Sequence, residues 1–156
     1  MDSNELLKNI EIKQVLYKDE YWDKLIDFVK KSSWRASPII ARNWEENNYL
    51  DWERIFAAIE DNNIAGHCSL NEKDSVPGVE YTPYIQSVFV HEQFRGNRLS
   101  EKLILHAMSY AKTLGFERVY IVSDHKNLYE KYGFVKIDKK DDYRGEPQSI
   151  FVRKIY

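Results

Sequence analysis

The residues able to do chemistry concentrate in 84–100, Tyr-Ile-Gln-Ser-Val-Phe-Val-His-Glu-Gln-Phe-Arg-Gly-Asn-Arg-Leu-Ser. They read as an apolar strand ending at Val90, a polar and basic turn around Gly96, and a helix starting near Leu99. A strand that delivers a basic, glycine-containing turn onto a helix N-terminus is a place to hold phosphate. The helix end presents unpaired N–H groups and the positive end of its dipole to the turn. Arg95 and Arg98 add two fixed positive charges there. The same residues equally suit an ordinary strand-to-helix connection with solvated arginines, so the rest of the chain has to decide.

Composition sets the outer bounds. At 156 residues the chain fits one domain, 1–156, and is long enough to bury a real core. Hydrophobic residues make up 43% and charged residues 31%, which suits a globular protein and not a disordered or membrane-embedded one. The formal net charge is −2 with both signs interspersed, which argues against a nucleic-acid binder held by bulk electrostatics. Cys68 is the single cysteine, so no internal disulfide forms and a cytoplasmic location is expected. The opening Met-Asp-Ser-Asn-Glu-Leu-Leu-Lys is acidic and does not read as a secretory signal. No apolar run approaches the length needed to span a membrane.

The elements that must position 84–100 can be read from patterning. Residues 10–17 start with alternation and suggest a strand, and 19–31 carry Tyr21, Leu25, Ile26, Phe28 and Val29 at helical spacing. The stretch 32–38 breaks that helix, and a second is expected over 38–47. Strands are expected over 53–60 and 64–71, split by the turn-forming Asp61-Asn62-Asn63, and over 80–90 after a Pro77-Gly78 loop. A helix from 98 to 114 places Leu99, Leu103, Ala107, Tyr110, Ala111 and Leu114 on one face and stops at Gly115. A buried strand at 118–123, a small helix at 126–132 and strands at 134–139 and 148–155 complete the order. That order predicts an α+β mixed sheet with helices packed on it.

The order of elements, together with two local motifs, resembles the GNAT superfamily of acyl-CoA-dependent N-acetyltransferases. The first motif is the basic turn Arg95-Gly96-Asn97-Arg98-Leu99-Ser100 directly after the central strand. The second is a Tyr-x-Lys-x-Gly-Phe box, matched by Tyr129-Glu130-Lys131-Tyr132-Gly133-Phe134. Arg98 stands where the family usually has its middle glycine, and Ser100 replaces the final Gly or Ala. If its φ is negative, Arg98 can still serve through its backbone N–H, its side chain pointing to solvent or to the 3′-phosphate of CoA. Ser100 adds a hydroxyl at the helix start. The resemblance runs from about Ile12 to Ile155 and implies a mostly antiparallel central sheet with one splayed strand pair and flanking helices.

It further implies acetyl-CoA as acyl-donor cosubstrate, with pantetheine beside the backbone of Val88, Phe89 and Val90 and pyrophosphate on residues 95–100. An N–H of that strand would meet the thioester oxygen as negative charge develops. Tyr129 would be the catalytic residue, donating to the leaving thiolate. A thiol near ~8.5 and a phenol near ~10 make full proton transfer uphill by roughly 2 kcal/mol, so a hydrogen bond completed late is the expected role. No base is assigned: Gln86 cannot accept a proton, and Glu80, His91 and Asp124 are the nearby candidates. His67, His106 and His125 are too scattered for a metal site.

Acceptor recognition would fall to the N-terminal helices and their loop, where Tyr21, Trp22, Trp34, Trp44, Tyr49 and Trp52 cluster. Core packing accounts for most of these aromatics, and Trp34 beside Arg35 is the one singled out. The leading expectation is an enzyme transferring acetyl to a primary amine, on a small molecule, peptide or protein. The alternative is a non-catalytic acyl-CoA sensor of the same fold, in a chain that is monomeric or homodimeric. A nucleotide-binding P-loop is excluded because its glycine-lysine pattern is absent.

Overall fold

The computed structural model describes residues 3–156. An α-helix that patterning does not announce comes first, α1 (Ser3–Lys8), followed by strand β1 (Ile10–Val15). Helix α2 (Trp22–Lys31) begins later than the expected residue 19, because Asp19 is used for a turn. Its carboxylate accepts the N–H groups of Leu16 at 2.7 Å and Tyr21 at 2.9 Å. Helix α3 (Ser37–Glu46) has Pro38 in its first turn, where no N–H is needed, and ends at Asn47 in the left-handed conformation.

Strands β2 (Arg54–Glu60) and β3 (Asn63–Asn71) form a hairpin. Its two-residue turn puts Asp61 and Asn62 at positive φ, as the twist of paired strands favours. Strand β4 (Tyr84–Val90) is shorter than the expected 80–90, since Pro83 has no N–H to give the ladder. A 3₁₀ turn at Glu92–Phe94 leads to helix α4 (Leu99–Thr113), then strand β5 (Arg118–Ser123). The small helix expected at 126–132 contracts to a 3₁₀ turn at Tyr129–Tyr132, because Asn127 takes a positive φ that a helix cannot continue through. Strands β6 (Val135–Asp141) and β7 (Pro147–Lys154) close the order.

The seven strands form one sheet in the order β1-β2-β3-β4-β5-β7-β6. Every neighbouring pair is antiparallel except β4 and β5. Helix α4 covers one face, burying Leu99, Leu103, Ile104 and Ala107 against Phe56, Leu70 and Ile85. Each large aliphatic side chain buried there contributes about 1.5–3 kcal/mol. Leu114, expected on the same stripe, is instead exposed. Helices α2 and α3 cover the other face, where Trp22, Leu25, Val29 and Trp44 meet Val15, Ile55 and Ala57. Trp22 and Trp44 are therefore core residues. Among the described residues no helix is long and apolar enough to cross a membrane.

Candidate functional site

The interruption in the sheet lies between its two parallel strands. They meet at a single pair, Tyr84 with Tyr120, reinforced by a hydrogen bond from the Tyr120 N–H to the Pro83 carbonyl at 3.0 Å. Beyond that point no further pair joins them among the described residues, so the edge of β4 from Ile85 to Val90 faces β5 without a ladder. The register against β3 shows what bends β4 away. His67 pairs with Phe89 and Ser69 with Gln86, leaving Ser87 and Val88 opposite the single residue Cys68. That extra residue is a β-bulge, which increases local twist. Ser87 sits at φ +56°, a left-handed backbone that costs a side-chain-bearing residue about 1–2 kcal/mol. Its carbonyl accepts a hydrogen bond at 2.8 Å from Nδ1 of His67, a side chain with no exposed surface.

Val88 and Val90 pack toward the α4 core, while Phe89 turns to the other face and stacks on His67 and Trp34. The basic turn then carries the chain onto α4. Gly96 has φ +81° with nothing within 4 Å of where a Cβ would stand. Arg98 does not meet the negative-φ condition: its φ is +60°, the conformation a glycine supplies most easily. Its side chain is exposed and bends back over the helix start. The guanidinium makes a two-pronged contact with Glu101 at 2.9 and 2.8 Å and lies 5.1 Å from the centre of the Tyr132 ring. This pairing helps offset the backbone cost.

Arg95 folds back, its Nε donating to the Val90 carbonyl at 3.0 Å and its guanidinium lying over Phe89. The Asn97 amide donates to the carbonyls of Phe94 and Arg95. The side chain of the N-cap residue Arg98 makes no capping hydrogen bond, and Leu99 behind it is buried. The Ser100 hydroxyl is 2.7 Å from the Tyr132 hydroxyl, which joins the basic turn to the Tyr129–Tyr132 turn across 32 residues.

Tyr129 is almost fully buried, its ring against Tyr132, Phe134 and Phe151. Its hydroxyl makes no hydrogen bond among the described residues. Burial pushes the phenol up to about 12, with further contributions from Tyr132, Asp74 and Cys68. At neutral pH it is a firm proton holder.

None of the three nearby candidate bases is buried. Glu80 and Asp124 are exposed, and the exposed His91 uses Nδ1 to accept the Gln93 N–H at 3.1 Å. Gln86 is half-buried on β4. Sequence reading did not consider one further carboxylate. Asp74, in the β3–β4 connection, accepts the Ser75 N–H, and desolvation raises its carboxyl to about 6. Its charge is near enough to Tyr84 and Tyr129 to raise both phenols. The neighbouring hydroxyl of Tyr84 is buried with no partner. Nothing in the local sequence marks Asp74 as a carboxylate whose charge reaches two tyrosines.

Trp34 lies parallel to Phe89 at 5.5 Å, with Phe28 and His91 nearby. Trp52 is elsewhere, packed on Phe116. Arg35 reaches Glu146 at 3.9 Å, and both are exposed, so the contact contributes little. Cys68 is buried and its thiol is pushed well up by desolvation, which leaves no ready nucleophile. Among the described residues no cluster of His, Cys, Asp or Glu could hold a metal ion.

Residues 16–134 match the model of the acetyltransferase (GNAT) family. Similar solved structures include an acetyltransferase from Streptococcus agalactiae, 22% identical, with TM-score 0.65 over 94% of this chain and 99% of that one. An aminoglycoside 6′-N-acetyltransferase complexed with coenzyme A is 15% identical, with TM-score 0.69 over 94% and 97%. A spermidine N-acetyltransferase from Vibrio cholerae is 15% identical, with TM-score 0.66 over 94% of each chain. At these identities the likeness concerns the fold. A search of curated proteins finds no match.

Proposed function

Since the chain belongs to the GNAT acetyltransferase family, we propose that it transfers an acetyl group from acetyl-CoA to a primary amine by direct attack in a ternary complex. The observation that carries this reading is the gap beyond the Tyr84–Tyr120 pair. An unpaired strand edge inside a protein is costly, and a ligand bearing amides can complete it. The backbone of Val88, Phe89 and Val90 would hold the pantetheine amides. The N–H groups from Gly96 through Asn97, Arg98, Leu99 and Ser100 would hold the pyrophosphate, with Arg95 free to swing from Val90 toward it. Acetyl-CoA supplies an activated thioester whose sulfur departs as a thiolate.

Tyr129 would donate a hydrogen bond to that sulfur. With its phenol near 12 and a thiol near ~8.5, complete transfer is uphill by roughly 5 kcal/mol, so the proton stays on the phenol until late. An alkyl amine must lose a proton to attack, at a cost of roughly 4–5 kcal/mol at pH 7. Asp74, ionised above about 6, is the base we assign, acting directly or through one water. The buried, proton-bearing Cys68 gives no route through an acyl-enzyme. The activities named for two structural neighbours, on an aminoglycoside and on spermidine, favour a small-molecule amine over a peptide or protein one.

Calorimetry with acetyl-CoA, followed by thiol release over a panel of amines, tests the proposal. Binding together with amine-dependent thiol release is the expected result. Binding with no release across the panel would transfer the protein to the sensor class, and no heat with the coenzyme would remove the site itself.

A further inference from the structure

We propose that His67 is a positioning residue: its Nδ1–H holds the Ser87 carbonyl and thereby maintains the bulge that opens β4 from β5. The kinetic part of this inference rests on the acetyl-transfer reading, but the structural part does not. A carbonyl oxygen can only accept, so the 2.8 Å contact requires the proton on Nδ1. The imidazole has no exposed surface and is enclosed by Trp44 at 5.1 Å, Phe28 at 5.9 Å and Phe89 at 5.7 Å. Burial drives its pKa down to about 4, against a smaller opposite effect from the Ser87 carbonyl, so the ring is neutral and is no base for the reaction.

The second nitrogen, Nε2, is buried without a partner. An aromatic cage of this kind would accept Phe or Leu without leaving a polar atom unsatisfied, so the histidine is explained by what Nδ1 does. What it does is hold a non-glycine residue at φ +56°. Ser87 is also the point where β4 gains its extra residue, three positions past its last contact with β5. The aromatic stack of His67 on Phe89 fixes the next stretch of the same strand. One side chain thus sets both the kink and the strand that leaves it.

The test uses His67→Leu, His67→Asn and the double variant His67→Leu/Ser87→Gly. Removing the donor should weaken acetyl-CoA binding at least tenfold by calorimetry and lower kcat, with the amine KM little changed. Asn, which places an amide N–H near Nδ1, should stay within about threefold of the parent protein. Glycine takes the left-handed backbone unaided, so the double variant should regain most of the lost affinity. A space-filling role for His67 would show no such rescue. A folded His67→Leu with parental affinity, or a double variant no better than the single one, overturns the inference. If His67→Leu does not fold, nitrogen NMR of the parent protein decides: an Nε2–H tautomer overturns it and an Nδ1–H tautomer supports it. If the parent protein binds coenzyme but releases no thiol, the acetyl-transfer reading fails and the affinity comparison still stands. If it binds no coenzyme, amide exchange at Val88 and Phe89 provides the comparison, and equal rates in parent and Leu variant overturn the inference.

Discussion

Tyr129 and Asp74 are both shifted upward by loss of water, and the consequences are opposite. For Tyr129 the shift keeps the hydroxyl protonated throughout the working range, ready to donate. Tyr129→Phe should lower kcat about 100-fold, the scale of losing one aimed donor, while acetyl-CoA affinity stays within about threefold. Steady-state kinetics beside calorimetry checks this, and an unaltered kcat would take Tyr129 out of the mechanism. For Asp74 the shift, from 3.8 to about 6, is a stability penalty. Between those values the native state binds more protons than the unfolded chain, so stability falls as pH rises through the window and is flat above it. The ionised carboxylate then costs up to about 3 kcal/mol at neutral pH. Asp74→Asn should therefore raise the melting temperature at pH 7.5 and leave it nearly unchanged at pH 3.5. The same variant should lose most of its turnover, along with the limb of the pH–rate profile that rises near pH 6. Unchanged stability with parental activity would exclude Asp74 as the strained base.

Among the elements, β4 and the turn that follows it frame the proposed coenzyme site, and they show which parts of the fold a sequence reveals. Strand β5 was legible to the residue, because Val119 to Val122 form an apolar run between a glycine-ended helix and a polar loop. The strand-to-helix turn around Gly96 was legible because its residue pattern is local. The bulge at Ser87 was not: one serine in an apolar strand says nothing of a register shift set by a partner strand. Asp74 was hidden for the same reason, since its loop is held by a distant turn through the Tyr143 N–H and the Ser75 carbonyl at 3.0 Å. The positive φ of Arg98 was not legible, because the turn dictates the backbone and the residue adapts to it. Gly66 offers a test at this scale. It pairs with Val90, and a Cβ there would stand 2.7 Å from the Phe89 carbonyl oxygen and 3.3 Å from the Val90 Cα. Those are backbone atoms, so β3 and β4 must part to admit it. Gly66→Ala should cost about 1–3 kcal/mol of stability and weaken coenzyme binding together. Denaturant unfolding and calorimetry would expose the error if both were unchanged.

Across the whole molecule the sheet separates two cores, and on the proposed reading it separates two tasks with them. The α4 face holds the basic turn, Tyr129 and the inward sides of Val88 and Val90. The opposite face holds Phe28, Trp34 and Phe89 beneath the α2–α3 connection. Contacts reach from that connection to the β6–β7 turn through Arg35 and Glu146, and from that turn to the Asp74 loop through Tyr143. Asp142 organises the turn, accepting N–H groups from Arg144 at 2.9 Å and Glu146 at 3.0 Å. On the proposed reading an amine arriving on this side would meet aromatic faces first, and the coenzyme would approach along the gap. The division predicts separable defects. Trp34→Ala removes a ring stacked on Phe89 without touching the β4 backbone, so the amine KM should rise about tenfold with acetyl-CoA affinity preserved. Initial rates at varied amine and saturating acetyl-CoA, beside calorimetry with the coenzyme alone, measure the two effects independently. Weakened coenzyme binding with an unaltered amine KM would place the acceptor elsewhere on the molecule.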